Sequence, residues 1–297
     1  MYFLPRATVE FVRGAWMKAM LAVIMILPLA IGFSLLYKSS PLLDSNVFFN
    51  VLFSSEWVPM QGKFGLWPFI WSSVIISLLG LVLMIPLCLA SAIFITQFSP
   101  PWISRALRTV IDILAGIPSV IFGLWGIITI IPFVSDWAKA AGAENTSGYS
   151  ILAAGLVVSV SVMPFVLNML IELFESVSHE LKEAALSLGA SQWQTIKDVV
   201  LKKVRPGITA AFTLGVSKAF GETIAVLMVA GNVVQVPRGL FDAGYPLPAL
   251  LANNYGEMMS IPAYESALMF SAFILLLIVI IFNYLAHRVI RYYQDKA

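Results

Sequence analysis

The sequence predicts an all-α fold, a polytopic helical membrane protein with about six transmembrane helices. Two observations carry this. Of 297 residues, 60% are hydrophobic and only 11% charged, with a mean hydropathy of +0.90, whereas a soluble domain is about half apolar and about a quarter charged. The apolar residues also come in long runs rather than alternating with polar ones, which selects helices over a membrane barrel.

Runs of about 20 apolar residues fall at 17–37, 67–96, 108–133, 149–173, 207–233 and 265–287. The first exceeds the 7–15 residues of a signal-peptide core, and "LLYKSSP" after it offers no small-x-small cleavage site, so it is expected to be a retained helix. The second contains Pro86, a candidate kink. Trp16, Tyr37, Trp67, Trp71 and Tyr284 fall near the ends of runs. Interfacial anchoring and ordinary packing both account for them.

The basic residues set the orientation. If both termini share one side, that side collects Arg6, Arg13, Lys18, Arg105, Arg108, Lys182, Lys197, Lys202, Lys203, Arg205, Arg288, Arg291 and Lys296. The opposite loops hold only Lys38, Lys63, Lys139 and Arg238. The excess of positive charge places both termini in the cytoplasm.

The chain divides into an N-terminal helix and first external loop (1–66), a transmembrane core (67–287) with a cytoplasmic loop at 175–207, and a short cytoplasmic tail (288–297). The external loops, about 38–66, 134–148 and 234–264, are too small for a catalytic domain. The third is rich in Pro and Gly, which predicts turns with a short helix at Pro248–Tyr255.

Several chemistries are excluded. Cys88 is the only cysteine and reads as a small buried hydrophobe. His179 and His287 lack ligand spacing, and "HELKE" ends on Glu183 where a zinc-protease helix needs histidine. No phosphate-binding G-x-x-x-x-G-K-[ST] loop occurs. A net charge of +2 on so few ionisable groups gives no basis for nucleic-acid binding. No catalytic or metal residues are assigned, and the chain reads as a transport subunit in contact with lipid rather than an enzyme.

The loop from Glu175 to Ile208 is charged but patterned. Leu181, Ala184, Ala185 and Leu188 make one helical stripe, with Ser178 placed to cap it and Gly189 where a left-handed residue ends it. Ser191 to Gln194 is a capping-box pattern opening a second helix, whose apolar face is Trp193, Ile196, Val200 and Val204. Pro206 is expected to mark the elbow before the fifth span. The resulting knob either lies on the inner leaflet or docks a soluble partner.

Lys218 and Glu222 stand four residues apart in the fifth run, so a continuous helix puts them on one face. A charge near a helix centre costs about 2.5–3.5 kcal/mol on insertion scales, so such groups turn away from lipid. They form either a structural ion pair or part of a solute path in which Glu222 neutralises Lys218. Ser217 and Thr223 add hydroxyl donors beside them. "GIPS" at Gly116–Ser119 either weakens a helix along the path, which adds Ser119 to it, or is a kink fixed by packing. Asp112 reads as a first-turn acid facing a helix dipole.

Three stretches resemble a known family. "EAALSLGASQWQTIKDVVL" is similar to the EAA loop of ABC importer permeases, matching at Glu183, Ala184, Ala185 and Gly189, with Val199 and Leu201 at the aliphatic positions and Lys202 replacing a proline. "DILAGIPSVIFGLWG" and "KAFGETIAVLMVAGN" resemble the phosphate-specific Pst-type permease subunits over roughly residues 67–287. The wording of "KAFGETIAVLMVAGN" is similar to the PstC-type subunit rather than the PstA-type one. The Pst-type pattern usually has arginine where Lys218 stands.

The resemblance implies a type I ABC importer permease fold in the bacterial cytoplasmic (inner) membrane, moving inorganic phosphate inward. It implies a PstA-like second permease subunit, an external phosphate-binding protein and two ATPase subunits that hold ATP and Mg, leaving no cofactor in this chain. The knob, with Ala190 and Ser191 at its tip beside Glu183, Ala184, Ala185 and Gly189, would be the ATPase-coupling element. Sulfate, molybdate or phosphonate would fit the same family. An ion-coupled secondary transporter would instead use Lys218 and Glu222 as a relay.

Overall fold

In lipid every backbone N–H and C=O must be satisfied within the protein, so long apolar runs fold as helices. The computed structural model describes residues 6–42, 45–142, 147–258 and 261–295. In chain order it has α1 (Arg6–Lys38), α2 (Ser45–Phe53), a two-stranded antiparallel hairpin of β1 (Trp57–Val58) and β2 (Lys63–Phe64), and α3 (Trp67–Ile93), which continues through a π-turn to Phe98. Then come α4 (Pro101–Ala115), α5 (Ser119–Trp125), a π-turn at Gly126–Ile130, α6 (Ile131–Ala140), α7 (Ile151–Glu175) and α8 (His179–Ser187). The short α9 (Gln192–Gln194) runs through a π-turn into α10 (Leu201–Gly221), followed by α11 (Ile224–Val229), α12 (Leu247–Met258) and α13 (Pro262–Asp295). Lys296, counted above on the cytoplasmic side, lies outside the described residues.

Five helical stretches among the described residues are long and apolar enough to cross a membrane: Gly14–Lys38, Trp67–Phe98, Ser119–Ala140, Ile151–Glu175 and Pro262–Arg288. Two expected spans are corrected. The third begins at Ser119, not 108, because Gly116, Ile117 and Pro118 interrupt the helix and the residue before a proline is disfavoured in α-helical geometry. The preceding α4 is a separate amphipathic helix. The fifth is not continuous from 207 to 233: α10 stops at Gly221, Glu222 is extended (φ −69°, ψ 111°), and α11 restarts at Ile224.

The core is centred on α7, whose apolar residues are buried nearly throughout. It packs closely on α3 because both contribute glycine. A Cβ on Gly80 would lie 2.8 Å from Val158 Cγ1, and one on Gly155 would lie 2.6 Å from Leu79 Cδ2. Small residues at a membrane helix crossing let the backbones approach and gain dispersion contacts. Cys88 is buried in this packing, as expected, with Sγ 3.7 Å from the Met163 carbonyl. By contrast α1 is exposed along its apolar length and leans on α13.

The segment after α11 is more than a surface loop. Gly231 (φ +91°) and Asn232 (φ +52°) turn the chain, and residues 244–250 are buried. The carbonyls of Val229, Asp242 and Leu240 accept the N–H groups of Ser150, Ile151 and Leu152. They satisfy amides at the start of α7 that have no partner within that helix. The expected short helix is α12, beginning at Leu247. Beside it the rings of Trp57, Phe64, Phe69 and Tyr264 pack edge to face.

At the other end of α7, the Glu175–Ile208 segment folds into the expected helix–turn–helix. Gly189 is left-handed (φ +85°), and its N–H and that of Ala190 close on the Leu186 and Ala185 carbonyls. The capping box forms: Gln194 N–H donates to Ser191 Oγ (3.3 Å) and Ser191 N–H to Gln194 Oε1 (2.8 Å). Two expectations fail. Ser178 stands at the N-cap position without a side-chain bond. Pro206 makes no elbow. It lies within an unbroken α10, on its exposed side.

Candidate functional site

The break between α10 and α11 rearranges the expected charge pair. With Glu222 extended, Lys218 and Glu222 no longer share a helical face, and no ion-pair contact joins them among the described residues. Each has a different partner. The Lys218 ammonium lies over the Phe165 ring of α7, 4.7 Å from its centroid, and is otherwise exposed in this chain. Its charge is thus held by a ring face, a contact worth about 0.5–2 kcal/mol depending on desolvation. The Glu222 carboxylate interacts with the Ser119 hydroxyl and the Ala225 N–H, and the Lys218 ammonium acts on it through space without an ion-pair contact. It therefore caps the restart of α11 and ties it to the first residue of α5.

Ser119 is thus brought to the site, although its two partners lie far along the chain. Ser217 is taken by another bond: its hydroxyl and the Asn283 amide of α13 exchange hydrogen bonds of 3.0 and 2.7 Å. Thr223 donates to the Gly221 carbonyl (3.1 Å) and lines an apolar cleft of about 620 Å³ with Leu35, Tyr255, Met269 and Leu275. On another side Glu222 borders a narrow crevice with Ser73, Ser77 and Pro246. One cation and one carboxylate therefore flank a break in a helix. That arrangement suits an anion that must enter and leave.

A second cluster connects this site toward the knob. Asp112 is not a first-turn acid. It lies in the last turn of α4 and accepts from Asn168 Nδ2 of α7 at 2.9 Å. One helical turn earlier, Arg108 makes an ion pair with Glu175 at the end of α7. Lys182 of α8 also feels Glu175, but partial burial dominates and pulls its ammonium below the usual lysine value. So α7 and α4 are linked by polar contacts, Lys182 of α8 acts on Glu175 through space, and α4 leads through Gly116–Pro118 to Ser119.

On the knob, Glu183 pairs with His179 (3.0 Å). Ala184, Gly189 and Ser191 are exposed, while Ala185 and Ala190 are half-buried. The first predicted stripe is not covered by this chain, with Leu188 90% exposed, whereas in the second Ile196, Val200 and Val204 are buried and only Trp193 is exposed (57%). The knob is anchored by Gln192 Nε2, which donates to the Gln97 carbonyl at 3.0 Å.

Sequence reasoning missed Phe165, Asn168 and Asn283. The two amides carried a readable signal, because each is a polar residue inside an apolar run. Phe165 carried none, since nothing distinguishes it from its neighbours until α7 and α10 are packed. Among the described residues no three His, Cys, Asp or Glu side chains cluster as metal ligands.

A multi-span helical bundle with a cation at a helix break and an uncovered knob at one end is a membrane transport component. The chain belongs to the family described as binding-protein-dependent transport system inner membrane component, whose family model matches residues 84–296. It is 31% identical over 243 residues to the phosphate transport system permease protein PstC of Xylella fastidiosa strain 9a5c, covering 77% of this chain and 74% of that protein. It is 32% identical over 244 residues to the PstC protein of Pasteurella multocida strain Pm70, covering 77% and 76%. It is 36% identical over 208 residues to the probable ABC transporter permease protein YqgH of Bacillus subtilis strain 168, covering 69% and 66%.

Two solved structures share the fold. One is the MetNI methionine ABC transporter in an inward-facing conformation (TM-score 0.58, 20% identity, 80% of this chain and 98% of that one). The other is a bacterial ABC transporter involved in import of the acidic polysaccharide alginate (TM-score 0.58, 16% identity, 96% and 99%).

Proposed function

We propose that this chain is a permease subunit of an ATP-driven importer that moves inorganic phosphate into the cytoplasm, and that Lys218 is the cation the solute meets at the gate. The observation that carries this is the Lys218 ammonium lying on the Phe165 ring beside the break at Glu222, with no carboxylate in contact among the described residues. Phosphate is mono- or dianionic at neutral pH and needs a cation where the dielectric is low. A ring face is a weak competitor for lysine, so an arriving oxyanion displaces it readily, and the ring recaptures the ammonium when the anion leaves. The phosphate transport named for the PstC relatives supports the choice of solute.

In this reading Glu222, which the Lys218 ammonium acts on without touching, serves chiefly as the latch of the break. Its bonds to Ser119 and the Ala225 N–H hold α5 and α11 together, and releasing them lets the two halves of the α10–α11 path move apart. The movement comes from two partner ATPase subunits, which bind ATP and Mg and engage the uncovered Leu188 and Trp193 of the knob. It passes through Glu175, Arg108 and α4. A second, PstA-like permease subunit completes the path, and an external binding protein delivers the solute. Both termini then lie in the cytoplasm, in accord with the distribution of Lys and Arg.

The test is ATP hydrolysis and uptake by the reconstituted complex, with the binding protein loaded in turn with phosphate, sulfate, molybdate or phosphonate. Phosphate is expected to stimulate both. Stimulation by another oxyanion but not by phosphate overturns the solute. Uptake that persists without ATP and collapses with an uncoupler overturns the coupling.

A further inference from the structure

The end of the bundle opposite the knob carries a second cation placed for an anion. Among the described residues four basic ones lie at that end, one in the β1–β2 hairpin, one in a loop and two at the ends of α1 and α6. Three are paired: Lys38 with Glu265 (2.8 Å), Lys63 with Glu56 (2.7 Å) and Lys139 with Asp136 (3.6 Å). The fourth, Arg238, is exposed, and its guanidinium has no hydrogen bond or ion pair among the described residues. It lines a predominantly polar cavity of about 520 Å³ with Ser55, Gln235, Val236 and Asp242.

The backbone beneath Arg238 is fixed. Asp242 Oδ2 accepts the N–H groups of Arg238 (2.8 Å) and Gly239 (2.9 Å), which closes the turn. The carbonyls of Leu240 and Asp242 are in turn bonded to the first amides of α7, and Gln235 Nε2 donates to the Ala243 carbonyl at 3.1 Å. The guanidinium is thus carried on a rigid platform with its own donors free. The same geometry limits its strength, because the Asp242 carboxylate borders the cavity and opposes an anion, offset in part by the two N–H groups it accepts.

The cavity lies at the end of α11 away from the break. Val229, the last residue of α11, is bonded through its carbonyl to Ser150 at the start of α7, beside the Arg238 turn. The break at Glu222–Thr223 is one short helix away, six residues or about 9 Å at 1.5 Å per residue.

We propose that Arg238, with the Ser55 hydroxyl, is an entry site that takes up a tetrahedral oxyanion before it reaches Lys218. A guanidinium fork matches two oxygens of such an anion, which an ammonium cannot do. A weak outer site followed by a second cation is the arrangement that speeds entry without trapping the solute. This rests on the oxyanion-import reading above.

The experiment uses the whole reconstituted complex. Phenylglyoxal modifies free guanidinium groups, and the modified peptide is read by mass spectrometry. Inorganic phosphate is expected to slow modification of Arg238 by about threefold or more, whereas chloride at equal ionic strength does not. Equal rates with the two salts overturn the proposal. Arg238→Gln is expected to lower phosphate uptake by about fivefold while the concentration of loaded binding protein giving half-maximal ATP hydrolysis stays unchanged, and Arg238→Lys to recover part of the loss. If that concentration rises instead, Arg238 holds the binding protein rather than the anion, and the proposal fails. Should sulfate drive the wild-type complex and phosphate not, the solute assignment fails. Protection of Arg238 by sulfate would then still support an oxyanion entry site.

Discussion

Lys218 of α10 rests on the ring of Phe165 of α7, with the ammonium 4.7 Å from the ring centroid, while the carboxylate four residues later turns elsewhere. Replacing the ring tests what this contact does. Phe165→Tyr keeps a π face and should leave phosphate uptake close to wild type. Phe165→Leu should slow uptake about two- to thirtyfold, the range of a cation–ring contact of about 0.5–2 kcal/mol. Uptake assays on proteoliposomes decide it.

The charges themselves come next. Because Lys218 and Glu222 have different partners, exchanging them restores neither contact. The double variant Lys218→Glu, Glu222→Lys should assemble with its partners, as read by co-purification, and should fail to transport. Normal uptake would show that the two act as an interchangeable pair.

Ser119 is predicted to act through Glu222. A hydrogen bond to a charged group contributes about 1.5–3 kcal/mol, so Ser119→Ala should loosen the break and raise ATP hydrolysis without solute while lowering uptake. Ser119→Thr keeps the hydroxyl and should behave as wild type. A parallel fall in both activities for the alanine variant would point to misfolding rather than a loosened latch.

Arg108 and Glu175 join α4 to the end of α7 next to the knob. An ion pair near a surface adds only about 0–1 kcal/mol of stability. Arg108→Gln should therefore leave the melting temperature nearly unchanged while reducing phosphate moved per ATP hydrolysed. Recovery of that ratio by Arg108→Glu with Glu175→Arg is the expected confirmation.

The α3–α7 crossing predicts a stability effect separate from transport. Gly80→Val places branched carbons where a single Cβ would already lie 2.8 Å from Val158. Overpacking of this kind costs about 1–3 kcal/mol, so the detergent-solubilised protein should melt several degrees lower. An unchanged melting curve would mean that the helices separate freely.

Much of the fold is legible in the sequence because it follows from local chemistry. Apolar length locates most spans, Gly189 and the Ser191–Gln194 box shape the knob, and the Pro248–Tyr255 stretch falls within α12. What local chemistry misplaces are the breaks. Gly116 and Pro118 stand inside an apolar run, yet the span starts after them, and Gly221 ends a helix although the residues around it keep a helical period. Pro206 is the opposite case, a breaker inside a helix that continues past it.

The sequence by itself determined that this chain lives in a membrane, that its basic residues gather at one end, and that a lysine and a glutamate sit in an apolar setting. Those facts depend on composition and spacing, and hydration energies act on them residue by residue. The tertiary structure alone decided that Lys218 meets Phe165, that Glu222 meets Ser119, that Ser217 is bound to Asn283, and that the Arg238 guanidinium has no partner among the described residues. A polar or charged side chain takes whatever partner the packing brings within a few ångströms, and residues that far apart in the chain have no local signal to announce it.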